Sequence, residues 1–145
     1  MTKARTQKQD RSTREWALIA ARAADEKKAT DIVIQEVRTA LIITDFFVIA
    51  TGANNRQVDA ICEGVEEALR TEAGIKPIGR EGTDELSWVL LDYGDFVVHV
   101  FQPEIREFYR LETLWSDVPL VDLAEAGILN PQYSERIAKI VGAEG

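Results

Sequence analysis

The sequence predicts a single α/β domain, a mixed β-sheet with flanking helices. Three observations predict it. "TDIVIQEV" (30–37) alternates side-chain character with a period of two, as a strand does. "FFVIATG" (46–52) is a continuous apolar run closed by glycine, the pattern of a central strand buried on both faces. "ANNRQVDAICEGVEEALRTEAG" (53–74) places Val58, Ile61, Cys62, Val65, Ala68 and Leu69 at helical spacing. Strand and helix patterns that alternate along one chain are what a layered α/β architecture requires.

The elements follow in order. Residues 1–13 are polar, basic and without periodicity, so a disordered arm is expected there. Ser12 or Thr13 is placed to cap a first helix, whose alanines carry it to about Lys28. The strands of 30–37 and 46–52 come next. The second helix has Asn54 or Asn55 to open it and Gly74 to close it. Pro77 makes "IKPIGREG" an edge or irregular strand. A hairpin, "SWVLLDYGDFVVHVF" (87–101), precedes a helix that begins at Pro103, where proline suits the first helical position. The expected order is α-β-β-α-β-β-β-α. Residues 14–118 form the domain, and 119–145 are a weakly patterned C-terminal extension with one or two loose helices.

Bulk properties narrow the function. The 145 residues suit one domain, and 46% hydrophobic content can fill one core. No apolar run reaches the roughly 18 residues that span a bilayer, and no signal peptide is visible, so a soluble cytoplasmic protein is expected. One cysteine and one histidine exclude an internal disulfide and multi-cysteine zinc sites. Cys62 lies on the apolar stripe of its helix and is expected in the core. The net charge is −8, concentrated between residues 29 and 115. An acidic body is a poor match for phosphate backbones and a good one for a basic partner.

The hairpin holds the candidate site. With Tyr93-Gly94 as a two-residue loop, Asp92 opposes Asp95 and Trp88 opposes His99. Alternation then makes two faces. Val89, Leu91, Phe96, Val98 and Val100 form a wholly apolar one. Trp88, Leu90, Asp92, Asp95, Val97, His99 and Phe101 form a mixed one. Two accounts of the mixed face remain open on residues alone. Either a helix covers it, the aspartates accept turn amides and His99 is a core histidine, or an aromatic anchor ringed by carboxylates meets a basic partner. A third possibility is a Mg²⁺-dependent enzyme that uses Asp45, Asp92 or Asp95. It lacks any Gly-rich phosphate loop, since "ATGANNR" offers a single glycine before a helix.

The blocks "TDFFVIATGANNRQV" (44–58), "WVLLDYGDFVVHVF" (88–101) and "REFYRLETLW" (106–115) resemble the signature blocks of the Iojap-type ribosomal silencing factor family. The resemblance covers residues 14–117. It implies a nucleotidyltransferase-like topology with no catalytic activity, no metal and no cofactor. It also implies binding to large-subunit ribosomal protein fourteen on the 50S subunit. That binding sterically blocks association with the 30S subunit and represses translation in starvation or stationary phase. A homodimer when free, and little direct rRNA contact, are further implications. The expected partner-binding residues are Trp88, Leu90, Asp92, Tyr93, Gly94, Asp95, Val97 and His99. The chain lacks the Gly-Ser element that precedes the catalytic carboxylates in the related enzymes.

Overall fold

The structure, a computed structural model, describes residues 7–142, with side chains from residue 12 onward. Helix α1 runs over Gln7–Glu26, so it starts ahead of Ser12 and Thr13. The earlier part of the expected N-terminal arm, 1–6, lies outside the described residues. Strands β1 (Thr30–Glu36) and β2 (Phe46–Thr51) precede helix α2 (Asn55–Ala73). Then come β3 (Gly79–Glu81), β4 (Trp88–Asp92), β5 (Phe96–Phe101), α3 (Pro103–Tyr109) and α4 (Glu135–Val141). The expected order of elements is observed, with short 3-10 turns at Val37–Thr39, Leu111–Trp115 and Leu123–Ala126.

The strands form one mixed sheet in the order β1-β2-β5-β4-β3. Only the central β2–β5 pair is parallel, and the others are antiparallel. Helices α1 and α2 pack together across one face. Ala17, Ala20, Ala21 and Ala24 are buried there, and such small side chains let α1 lie close to the sheet. Helix α2 is capped as its sequence indicates: Asn54 Oδ1 accepts from Gln57 N at 2.9 Å, and Gly74 closes it at φ +68°. Cys62 is buried on this helix, and burial pushes its thiol up to about 12.

The C-terminal extension holds short helices as expected, at Leu123–Ala126 and Glu135–Val141, but they are packed and not loose. It lies along the free edge of β1. Glu36 N donates to Pro119 O at 2.8 Å, Val121 N to Ile34 O at 2.9 Å, and Asp31 N to Gln132 O at 2.9 Å. Val121, Leu123, Ile128 and Ile137 are buried. An exposed strand edge invites pairing with other chains, and this segment covers it. Its apolar residues alternate between extended and 3-10 pieces, so no single period marks them.

Candidate partner-binding site

The hairpin loop is Gly94-Asp95, one residue later than expected. Gly94 takes φ +85° at the first loop position, where only glycine is comfortable. Asp92 therefore opposes Val97, not Asp95, and Trp88 opposes Phe101, not His99. The observed register brings Tyr93 and Phe96 together as a stacked pair with centroids 4.8 Å apart. Cross-strand aromatic pairs stabilise the register that makes them. The shift is by two residues in pairing, so every side chain that stays in a strand keeps its face. Val89, Leu91, Phe96, Val98 and Val100 all point into the helix-covered core.

The other face is only partly covered. The 3-10 turn Leu111–Trp115 closes one end, with Trp115 edge-on to Phe47 at 5.3 Å. A buried ion pair secures this cover. Arg106 Nε donates to Glu112 Oε1 at 3.0 Å, and Arg106 Nη1 to Thr51 Oγ1 at 2.8 Å. Burial lowers the pKa of Arg106, while Glu112 and Asp31 oppose that shift. Arg136 from the C-terminal extension donates to the second oxygen of Glu112 at 2.5 Å.

Beyond that end an open groove of about 420 Å³ remains. Phe47 and Val97 form its floor, Leu90 lies beside them, and Leu41, Ile43 and Ile78 are its walls. Ile43 and Ile78 are 86% and 76% exposed, and Ile42 beside them is 98% exposed. Apolar side chains scattered singly on a surface need no explanation, but a contiguous set marks an interaction site. Glu81 and Asp92 stand on the rim, and no lysine or arginine lines the groove among the described residues. The acids of α2 are largely spent elsewhere: Glu66 pairs with Arg80, Glu67 with Arg70, and Glu72 with Arg22.

Trp88 stands beside the groove as a half-buried anchor. Its indole stacks on Phe101 at 4.7 Å, meets Tyr109 at 5.0 Å and donates from Nε1 to His99 Nδ1 at 3.1 Å. Gly82 fixes the backbone here. A Cβ on Gly82 would sit 2.0 Å from the carbonyl oxygen of Trp88, and its φ is +79°. His99 is buried, and burial, helped by the charge of Arg106, lowers its pKa to about 4. The ring is neutral at neutral pH. Its Nε2 has no hydrogen-bond partner, which costs about 1–3 kcal/mol.

Of the eight expected binding residues, Trp88, Leu90, Asp92, Val97 and His99 come together on this face, with Gly94 at the groove's end. Tyr93 does not, because its ring stacks on Phe96 toward the helix-covered core. Asp95 sits at the turn, where its carbonyl accepts from Asp45 N at 2.8 Å. Asp92 Oδ1 accepts from Gly94 N at 2.8 Å, so one turn amide is met as the first account of this face required. Among the described residues no group of three His, Cys, Asp or Glu side chains is arranged to hold a metal. Phe47, Leu41, Ile43 and Ile78 were not expected in the site. The signal for two of them was present in "ALIITD", an apolar run between the first two strands.

Comparison with known proteins identifies the lineage of this architecture. A family model described as "Ribosomal silencing factor during starvation" matches residues 10–141. The chain belongs to the ribosomal silencing factor family. A ribosomal silencing factor of Bacillus subtilis is 44% identical over 105 residues, which are 72% of this chain and 88% of that protein. The chloroplastic Iojap protein of Zea mays is 39% identical over 108 residues, 74% of this chain and 46% of that longer protein. A crystal structure of a Chromobacterium violaceum protein superposes with a TM-score of 0.68 at 33% identity, covering 88% of this chain and 97% of that one. The family match extends past residue 117 and so takes in the extension along β1. Among the described residues no helix is long and apolar enough to cross a membrane.

Proposed function

We propose that this chain silences ribosomes by occupying large-subunit ribosomal protein fourteen with the open face of its sheet. The bound factor sterically blocks association of the 50S subunit with the 30S subunit, and translation is repressed in starvation or stationary phase. The observation that carries this reading is the apolar groove with an acid-only rim beside a half-buried tryptophan. Ribosomal proteins are basic because they lie among phosphates, and an acidic rim favours such a protein over direct rRNA contact. Family membership supports the same reading, as does a mouse relative, 31% identical over 96 residues, named for mitochondrial assembly of the ribosomal large subunit. Occlusion needs shape and affinity only, so no covalent step is invoked. The factor acts in the cytoplasm, with residues 14–118 as the binding unit. In the free protein the same face pairs with a second copy, and this homodimer competes with the ribosome.

Co-sedimentation with isolated large subunits tests the reading. The wild type should travel with the particles and slow their joining to small subunits. Trp88→Ala should do neither. A wild type that stays in the supernatant, or that leaves joining unaffected, would sink the proposal.

A further inference from the structure

The groove contains two buried polar groups with nothing to bond. Nδ1 of His99 accepts from Trp88, so a neutral ring must carry its proton on the other nitrogen. That Nε2–H donor has no partner, and His99 is 4% exposed. Thr44 lines the same groove, is also 4% exposed, and its Oγ1 is buried without a partner. Buried polar atoms in folded proteins nearly always find a partner, so two exceptions in one groove call for a cause. The walls around them are apolar, and the rim carries Glu81 and Asp92 with no basic side chain among the described lining residues.

We propose that the groove takes an extended segment of a basic protein that presents an apolar side chain flanked by hydrogen-bond acceptors. One acceptor, a backbone carbonyl or a side-chain oxygen, meets His99 Nε2–H, and a second meets the hydroxyl of Thr44, which the β2–β5 register places farther along the groove. A lysine or arginine flanking the apolar residue pairs with Glu81 and Asp92. The inference rests on the reading that this face binds the large subunit, and it names what the face selects. An apolar surface lacking an acceptor would leave both groups unmet, so His99 and Thr44 are specificity-determining residues. A site with unmet buried donors rejects ligands that cannot satisfy them far more strongly than an apolar pocket rejects a misfit.

His99→Phe keeps a planar ring and removes the Nε2–H donor, together with the Nδ1 acceptor of Trp88. We expect its affinity for isolated large subunits to fall about tenfold or more. Unchanged affinity would overturn the inference. Thr44→Val, which removes only the hydroxyl and leaves the Trp88–His99 bond in place, guards against a His99 variant that fails through the fold or through Trp88. Its affinity should drop severalfold, and an unchanged value would overturn the inference as well. Wild type and Trp88→Ala are measured alongside. If the wild type binds, Trp88→Ala does not, and both donor variants bind normally, the inference fails and the proposed function stands. If the wild type does not bind, both fail. Sedimentation equilibrium supplies the last arm. If His99→Phe weakens self-association and leaves subunit binding intact, the occupant is a second copy of this chain and the inference is wrong.

Discussion

Along β4 and β5 the same backbone serves two environments. On the side covered by α1 and α2, Val89, Leu91, Phe96, Val98 and Val100 are at most 1% exposed and wholly apolar. On the other side Trp88, Leu90, Asp92 and Val97 are half-buried, and His99 is buried with an unmet nitrogen. Where cover is complete, every contact can be apolar and stability is the only product. Where cover stops short of Leu41, Ile43 and Ile78, the face keeps groups that cost stability, and such costs gather at functional sites. The contrast implies that substitutions on the covered face act on folding, and those on the open face act on binding.

The largest expected effect lies on the covered face. Phe96→Ala removes a ring that stacks on Tyr93 and lies 6.5 Å from Trp16. Such a truncation costs about 3–5 kcal/mol, read as a fall in the urea midpoint. Binding per folded molecule should not change. A folded variant with large-subunit affinity reduced to the degree expected of Trp88→Ala would break the division between faces.

Acid should act through the open face. The folded pKa of His99, about 4, lies below its ordinary value of 6.5, so the unfolded chain takes the proton first. The stability linked to this ring is complete above pH 6.5 and is lost as pH falls toward 4. The loss amounts to about 3 kcal/mol. Carboxylates add their own slope at the low end, so the readout is a difference. Urea titrations at pH 7 and pH 4 should show the wild type losing more stability than His99→Phe. Equal losses would mean that His99 is not held neutral by burial.

How much of this was legible in the sequence follows from what each pattern encodes. Alternation in "WVLLDYGDFVVHVF" shows which strand residues share a face, and those assignments hold except for Asp95, which lies in the loop. Alternation is blind to a shift of two in pairing, so it could not tell a Tyr93-Gly94 loop from Gly94-Asp95. Caps Asn54 and Gly74 were readable because their chemistry is local. The β2–β5 register, which sets Phe47 beside Val97 and Ile49 beside His99, was not. A parallel pair is joined by a long crossover, so no short-range signal reports it. Likewise, Arg136 meeting Glu112 depends on segments that only the finished fold brings together.

Trp88→Ala comes next in size. It removes an anchor packed on Phe101 and Tyr109 and should weaken large-subunit binding by about 2 kcal/mol, or roughly 30-fold. Trp88→Phe separates two parts of that loss. Phenylalanine can still stack on Phe101 but cannot donate to His99 Nδ1. An intermediate affinity assigns part of the binding energy to the held orientation of His99. An affinity equal to wild type assigns all of it to the stack.

The smallest effect is the cleanest test of charge. Asp92 stands on the rim but also accepts from Gly94 N, so replacing it disturbs the hairpin turn as well as the field. Glu81 is exposed on the same rim at the end of β3, and Glu81→Lys changes charge with little cost to the fold. A rim charge governs encounter more than residence, because its field reaches the partner before contact and is screened once salt is added. The variant should therefore associate several-fold more slowly at low ionic strength, with dissociation and thermal midpoint nearly unchanged. The gap between variant and wild type should close at high salt. A faster association for Glu81→Lys would mean that the groove receives an acidic or phosphate-rich surface, and the basic-partner assignment would be reversed.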